Sequence, residues 1–272
     1  MPHLIVPGAE LAYEAHGRAS DPALLCIPAG VATMRMWDEH LAELARTHYV
    51  ITYDPRGFGA TTHDAAVPFA NHDDALAVLD HLGVARATLI GASRGGGIAI
   101  DVALAAPERV AGLVVVGSGA SGFPDVTPTG AEQRRFDELD AIDPEAEPAR
   151  LVELETRFWA TGPDRTDEEV DPAFLRRAHE LNAPNIAHAA DDGTILPLDP
   201  PATGRLAEIA VPALVLVGDL DVSVMRARAA HLVAEIPGAE TASFPDAAHL
   251  PTVERPAEFR RILLTWLDEH GL

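Results

Sequence analysis

The sequence predicts an α/β protein: a mostly parallel central sheet flanked by helices, with a helical segment inserted near the middle of the chain. Short apolar runs alternate with amphipathic stretches of helical period. Runs that are apolar throughout indicate strands buried on both faces, as in parallel sheets covered by helices. The alternation stops near residue 119 and resumes near residue 205. The insertion is therefore expected between those two points.

The strands are predicted from their composition. The first two form a β-hairpin, LIV followed by ELAYEA, with Pro7-Gly8 as the turn. The strands that follow are short and mostly apolar, which favours burial between two layers of helices. They are ALLCI (23–27), YVITY (49–53), ATLIG (87–91), VAGLVVVG (110–117), PALVLVG (212–218) and TASF (241–244).

Helices are predicted between these strands. RMWDEHLAELAR, NHDDALAVLDHLG and MRARAAHLVAEI have apolar residues at helical spacing. In the second stretch, Asn71 is a suitable N-cap and Gly83 a suitable C′ residue. A further helix is expected from about Gly95 to Ala106, and a final helix begins with Pro256 at its first position. Right-handed crossovers through such helices make the sheet parallel.

The inserted segment has a different composition. From Ser118 to about Arg205 no convincing strand is visible, and charge and proline content rise. The apolar spacing in RLVELETRFWA and PAFLRRAHEL is helical, and Phe158 and Trp159 are expected in the core of this segment. We therefore predict a core made of residues 1–118 and 205–272, with residues 119–204 as a helical insertion over the sheet.

Composition limits the partners. Of the 272 residues, 47% are apolar and 23% charged, as in ordinary soluble globular proteins. The net charge of −22 argues against a nucleic-acid or anionic-membrane partner, because both require clustered positive charge. The single cysteine, Cys26, excludes an internal disulfide and a cysteine-based metal site. With no signal-peptide pattern and no apolar run near the roughly 18 residues of a membrane span, a cytoplasmic location is expected.

The stretch LIGASRGGGIAI (89–100) suggests chemistry. Gly91-Ala92-Ser93-Arg94-Gly95 fits the pattern G-x-S-x-G between a predicted strand and a predicted helix, which is the context of a nucleophile elbow. Side chains two residues before and after the serine would collide with neighbouring backbone, so glycine is required at both positions. The helix N-terminus favours negative charge developing at the serine. Ser93 is therefore the predicted nucleophile.

An activated serine needs a base, and the base needs a carboxylate that orients it. After the strand PALVLV, the turn GDLDV offers Asp219 and Asp221; after TASF, the loop PDAAHLP offers His249. The order serine, acid, histidine is typical of the strand–turn–helix elbow. All these positions follow the carboxyl ends of parallel strands, where open α/β sheets place their sites.

These motifs resemble those of the α/β-hydrolases, in the group that contains 3-oxoadipate enol-lactonase, cofactor-free haloperoxidases and related esterases. The resemblance covers nearly the whole chain. It includes Trp37, YDPRGFGAT (53–61), GASRGG, PERVAGLVVV, GDLD and AHLPTVERP. It implies that Asp221 rather than Asp219 is the acid, that His249 is the base, and that residues 119–204 form a helical cap after the sixth strand.

The resemblance also implies an oxyanion hole made by the backbone N–H groups of Gly30 and Arg94. Many relatives carry His-Gly where this chain has Pro28-Ala29. Both expected donors belong to the backbone, so their side chains do not decide the function. Pro28 nevertheless has no N–H of its own and affects the shape of the loop.

The implied function is hydrolysis of a small-molecule carboxylic ester or lactone through an acyl-enzyme on Ser93, without a metal or an organic cofactor. Two alternatives stay open: a cofactor-free perhydrolase or non-hydrolytic biosynthetic enzyme that uses the same residues, and a small-molecule receptor on the same fold. The side chain of Arg94 also has two interpretations. An ion pair with one of the 42 acidic residues is favoured over binding of a substrate carboxylate. The sequence does not predict the oligomeric state.

Overall fold

The computed structural model describes residues 1–190 and 193–272. Its strands form one nine-stranded sheet in the described residues. They are β1 (His3–Val6), β2 (Ala9–His16), β3 (Ala23–Ile27), β4 (Tyr49–Tyr53), β5 (Thr62–His63), β6 (Ala87–Ala92), β7 (Val110–Val116), β8 (Ala213–Gly218) and β9 (Glu240–Phe244). The strand order is β1-β2-β4-β3-β6-β7-β8-β9, and β5 pairs with β2.

The predicted fold class is confirmed. Strands β4, β3, β6, β7, β8 and β9 pair in parallel, whereas β1 and β2 form the predicted antiparallel hairpin and β2 lies antiparallel to β4. Every residue of β6 is buried, as expected for a strand covered on both faces. The two-residue β5 lies beside β2, so β7 is the sixth strand along the main path of the sheet.

Helices cover both faces of this sheet. The helices outside the insertion are α1 (Asp38–Leu44), α2 (Asn71–His81), α3 (Arg94–Ala105), α7 (Ser223–Glu235), α8 (Pro251–Glu254) and α9 (Pro256–His270). Apolar side chains of α2, α3 and α7 pack into one core layer, and those of α1 and α9 pack into the other. The sheet therefore lies between two hydrophobic layers, and its carboxyl-terminal edge is left to carry the site.

The helical segment follows β7, as predicted. It contains α4 (Gly130–Asp140), α5 (Pro148–Thr161) and α6 (Pro172–Asn182), and the described part of residues 119–204 contributes no strand to the sheet. Glu132 of α4 joins the segment to the start of α7: its carboxylate accepts hydrogen bonds from the Ser223 N–H (2.5 Å) and hydroxyl (2.6 Å). The division into a core and a cap at residues 119 and 204 stays a prediction.

Helix boundaries differ from the predictions by up to three residues; the predicted helix at 35–46 is a 3-10 turn, Met34–Trp37, followed by α1. Helix α2 begins at Asn71, and its N-cap is Ala70 in extended backbone, so the predicted N-cap is wrong. The side-chain oxygen of Asn71 instead accepts a hydrogen bond from Arg94 (3.5 Å), which takes it away from the helix end. Gly83 has φ +68°, as required of the predicted C′ residue. No helix within residues 1–190 and 193–272 has the length and apolar character needed to cross a membrane.

Candidate active site

Ser93 lies on a sharp turn between β6 and α3. Its backbone has φ 48° and ψ −119°, and it is the one non-glycine residue with positive φ in the described part of the chain. Such a conformation costs on the order of 1–3 kcal/mol and persists only where the surroundings hold it. Here the Ser93 N–H donates to the Val116 carbonyl (2.8 Å), and the Gly96 N–H donates to the Ser93 carbonyl (2.9 Å).

The glycines on either side of the turn are there because backbone approaches them closely. A Cβ atom on Gly91 would lie 2.2 Å from the Gly95 carbonyl oxygen. A Cβ atom on Gly95 would lie 2.3 Å from the Ile27 carbonyl oxygen. Both distances are far inside van der Waals contact, so the predicted reason for glycine at these two positions is confirmed.

Ser93, His249 and Asp221 form one chain of hydrogen bonds. The Ser93 hydroxyl and His249 Nε2 are 2.7 Å apart, and His249 Nδ1 is 2.8 Å from Asp221 Oδ2. Because a carboxylate only accepts, the ring proton belongs on Nδ1, and Nε2 is then free to accept the serine proton. The serine hydroxyl is therefore next to a base whose tautomer is set by Asp221.

The turn after β8 brings Asp221, and not Asp219, to this histidine. Asp221 is buried, and its second oxygen accepts a hydrogen bond from the Val222 N–H (2.8 Å). Asp219 is exposed. Both are next to a strand end, so the sequence spacing alone left the choice open, and the direction of the turn decides it.

The ring of Trp159, in α5, packs against the ring of His249. Its ring centroid is 4.3 Å from that of His249. Its backbone carbonyl accepts a hydrogen bond from the backbone N–H of His249 (3.3 Å). Trp159 was expected in the core of the helical segment, and its ring does pack there against Phe158, with 4.8 Å between centroids, while it also lines the cavity. Its neighbour Phe158 is buried there, as predicted. Nothing in the helical spacing distinguishes the two aromatic residues, because the contact crosses from one segment to another.

The serine and histidine open into a cavity of about 440 Å³. Gly30 and Arg94, the predicted oxyanion-hole residues, both line this cavity, and a Cβ atom on Gly30 would lie 3.8 Å from Arg94 Cβ. The helical segment also contributes side chains to the lining of this cavity. Its contributions include Leu151, Val152, Glu155, Trp159, Asn185 and His188. The oxyanion role of Gly30 and Arg94 stays a prediction.

The side chain of Arg94 does not make the ion pair that was favoured. Among the described residues no carboxylate lies within ion-pair distance of its guanidinium, which packs over the Phe58 ring with 4.7 Å to the centroid. Arg56, which also lines the cavity, does have an acidic partner: its guanidinium donates two hydrogen bonds of 2.8 and 2.9 Å to the Asp74 carboxylate. The expectation of an acidic partner for Arg94 is therefore wrong for the part of the chain that the structure describes.

No group of three or more histidine, cysteine, aspartate or glutamate side chains in residues 1–190 and 193–272 is arranged to hold a metal ion. Cys26 is fully buried inside β3, and burial raises the pKa of its thiol. The buried thiol thus has the surroundings of a packing residue.

The fold and this site define a class of protein. The sequence profile of the alpha/beta hydrolase fold matches residues 22–256. The chain belongs to the α/β-hydrolase fold family, and the predicted resemblance is confirmed.

Similar proteins in this family are hydrolases. RutD of Variovorax paradoxus, provisionally named a carbamate hydrolase, is 30% identical over 267 residues, with 94% of this chain and 96% of RutD covered. Rhodomycin D methylesterase DauP of a Streptomyces species is 32% identical, with 87% of each chain covered. The solved structure of Est816, described as an N-acyl homoserine lactone degrading enzyme, is 26% identical with a TM-score of 0.75, covering 97% of this chain and 99% of that one. These similarities assign hydrolase activity to the chain.

Proposed function

We propose that this hydrolase is a serine carboxylic-ester hydrolase, an esterase or lactonase acting on a small molecule. The observation that carries the proposal is the unbroken hydrogen-bonded chain from Ser93 through His249 to Asp221, which starts at a serine held with φ 48°. The strained turn presents the hydroxyl to the cavity, and the buried carboxylate fixes the ring. The relatives named for ester and lactone hydrolysis, DauP and Est816, support the same chemistry.

In the first step, Ser93 Oγ attacks the carbonyl carbon of the ester while His249 Nε2 takes the hydroxyl proton. The carbonyl oxygen becomes an oxyanion, which the backbone N–H groups of Gly30 and Arg94 stabilise. Arg94 is the first residue of α3, so its N–H has no partner within the helix and the helix dipole adds to the stabilisation. Collapse of the tetrahedral intermediate breaks the carbon–oxygen bond, and His249 gives its proton to the leaving alcohol.

In the second step, water repeats the attack on the acyl-enzyme. His249 takes one proton from the water, the hydroxide adds to the acyl carbon, and Ser93 leaves with the proton returned from His249. Asp221 stabilises the imidazolium in both steps and stays ionised. The net reaction consumes one water and releases one acid and one alcohol, or one hydroxy acid when the substrate is a lactone.

In this proposal the helical segment, residues 119–204, is a cap that covers the cavity. Its support is that α5 supplies the Trp159 ring against His249 and that several of its side chains line the cavity. A cavity of about 440 Å³ suits a small to medium ester or lactone.

The test is hydrolysis of p-nitrophenyl acetate and butyrate by the wild type and by Ser93→Ala. We expect the variant to lose at least about 10³-fold in kcat, because no other group replaces the nucleophile. Ser20→Ala is the matched control, since Ser20 is exposed and lies outside the cavity, and it should retain full activity. Equal activity in the wild type and Ser93→Ala would show that Ser93 is not the nucleophile.

Two further measurements separate the alternatives. A panel of lactones and carbamates, followed by product analysis with and without hydrogen peroxide, distinguishes hydrolysis from perhydrolysis. Binding of such compounds without turnover in the wild type would favour a receptor instead.

A further inference from the structure

Arg94 carries a half-buried positive charge that no carboxylate among the described residues pairs with. Arg94 lines the same cavity as Ser93, and its guanidinium packs over the Phe58 ring with one hydrogen bond of 3.5 Å to the Asn71 side chain. Its Nε–H is buried and has no hydrogen-bond partner in the part of the chain that the structure describes. An unpaired buried charge is unfavourable, and burial accordingly lowers the pKa of Arg94. The site therefore has a place for an anion.

Two more side-chain donors, on Tyr53 and Arg56, are buried without a hydrogen-bond partner among the described residues. The Tyr53 hydroxyl is fully buried and unbonded, and it lies close enough to Arg94 for the arginine charge to act on its pKa. Arg56 uses Nε and Nη2 on Asp74, whereas its Nη1 is buried and unbonded. Buried donors are rarely left unsatisfied, so the free N–H groups of Arg94 and Arg56, two residues that line the cavity, indicate a ligand or ordered water that supplies acceptors.

Arg56 and Arg94 both line the cavity, and of these two arginines Arg94 is the one that can attract a negatively charged group. The Arg56 charge is compensated by Asp74, so this residue can offer a hydrogen bond but little net attraction. Among the residues that the structure describes, the acidic side chain that lines the cavity is Glu155, and burial raises its pKa. The chain as a whole has a net charge of −22, so an anionic substrate needs such a local cation to bind.

Arg94 shares one cavity with the residues that carry the proposed reaction. Ser93, His249, Gly30, Phe58 and Arg94 all line it, and a Cβ atom on Gly30 would lie 3.8 Å from Arg94 Cδ. A carboxylate on an ester bound at Ser93 is therefore in the same cavity as Arg94.

We propose that Arg94 binds a carboxylate of the substrate, with the free Nη1–H of Arg56 as a further donor in the same cavity, so that the enzyme prefers esters that carry a carboxylate. This proposal rests on the proposed ester hydrolysis at Ser93. A guanidinium matches a carboxylate through two parallel hydrogen bonds, which gives both attraction and orientation. Arg94 thereby has two separate functions: its backbone N–H belongs to the oxyanion hole, and its side chain sets the specificity.

The test compares esters in matched pairs. The p-nitrophenyl monoesters of succinic, glutaric and adipic acid are each paired with the neutral p-nitrophenyl ester of the same chain length. We expect the wild type to prefer the charged member of at least one pair in kcat/KM. In Arg94→Met that preference should fall about 10- to 100-fold, which corresponds to the loss of a charge-assisted hydrogen bond. Arg94→Lys, which keeps the charge without the fork, should give an intermediate preference.

Arg46→Met is the matched control, because Arg46 is exposed and removing it changes the net charge equally. It should leave the preference unchanged. An unchanged preference in Arg94→Met overturns the proposal and assigns the side chain to packing on Phe58. Ester hydrolysis that depends on Ser93 but shows no charge preference in the wild type overturns this proposal alone. Absence of all Ser93-dependent hydrolysis overturns the proposed function instead.

If Arg94→Met does not fold, the wild type still decides. Glutaramic acid and glutaramide present the same amide at one end and differ at the other in a carboxylate against a neutral amide. The acid should inhibit hydrolysis of the neutral butyrate ester at least about 10-fold more strongly than the diamide. Equal inhibition by the two compounds would contradict the anion site.

Discussion

Asp221 and Asp219 are the same residue type, two positions apart on one turn, yet only Asp221 faces His249. Asp221 is buried and holds the ring at 2.8 Å, while Asp219 is exposed. In the proposed mechanism, the buried carboxylate in contact with the ring keeps the proton on Nδ1 and stabilises the imidazolium. The two aspartates thus form a natural pair of test and control.

Asp221→Asn should lower kcat by about 10³- to 10⁴-fold with a much smaller change in KM, because an amide can donate to the ring and select the wrong tautomer. The measurement is the rate of p-nitrophenyl butyrate hydrolysis near neutral pH. Asp219→Asn should stay within about twofold of the wild type. Comparable losses in both variants would mean that the turn as a whole, rather than the carboxylate at 221, supports the reaction.

At the residue scale, the sequence indicated Ser93 and His249 because each follows a strand end in a recognisable motif. It did not indicate the surroundings of Arg94 or the contact of Trp159 with His249. Those properties depend on which side chains of distant segments share one cavity. The excess of acidic residues favoured an ion pair for Arg94, but composition does not tell where the acids point.

At the element scale, α3 carries three glycines in its first turns, and the surroundings of the first and the third, Gly95 and Gly97, differ. A Cβ atom on Gly95 would lie 2.3 Å from the Ile27 carbonyl oxygen, on strand β3. A Cβ atom on Gly97 would meet its nearest neighbour, the Gly119 carbonyl oxygen, at an ordinary 3.6 Å. The close approach of α3 to the sheet, which sets the position of Ser93, therefore depends on Gly95 and not on Gly97.

Gly95→Ala should destabilise the protein by at least about 2 kcal/mol, since backbone must move to admit the methyl group. Gly97→Ala should be neutral or stabilise it by up to about 1 kcal/mol, because alanine loses less backbone entropy in a helix. Urea-induced unfolding followed by circular dichroism gives both values. Equal effects of the two substitutions would show that the elbow tolerates a side chain at position 95.

The order and type of the main elements followed from apolar runs and helical spacing, as the match of α5 and α6 to RLVELETRFWA and PAFLRRAHEL illustrates. Helix ends were less predictable. Asparagine is a residue type favoured at N-caps, but the side chain of Asn71 contacts Arg94, a residue of the next helix. The two-residue β5 was missed because so short a strand has no periodicity and forms only by pairing with β2.

At the scale of the whole molecule, His40 links α1, near the start of the chain, to α8 and α9, near its end. His40 of α1 is fully buried against the Phe259 ring, with 5.0 Å between centroids. Its Nε2–H donates to the Thr252 carbonyl (3.0 Å), and Nδ1 faces an N–H of Arg260 at 3.5 Å. Both ring nitrogens are thus arranged for a neutral imidazole.

This arrangement makes stability depend on pH. Burial, together with the Arg260 charge, lowers the pKa of His40 from 6.5 to about 4 despite the hydrogen bond to Thr252. Above pH 6.5 the ring is neutral in both states, so it adds no pH dependence there. As the pH falls from 6.5 to about 4, the unfolded chain takes up a proton that the folded protein does not, and the free energy of unfolding decreases.

We expect His40 to account for about 3 kcal/mol of stability lost between pH 7 and pH 4. In His40→Gln, whose amide can still donate to Thr252, this part of the loss should disappear, so the stability difference between wild type and variant shrinks by that amount on acidification. Urea unfolding at a series of pH values measures it, and carboxylate protonation cancels in the difference. His3→Gln, at an exposed position, should follow the wild type throughout. A wild-type curve parallel to that of His40→Gln would mean that His40 does not hold the two ends of the chain together as a buried neutral group.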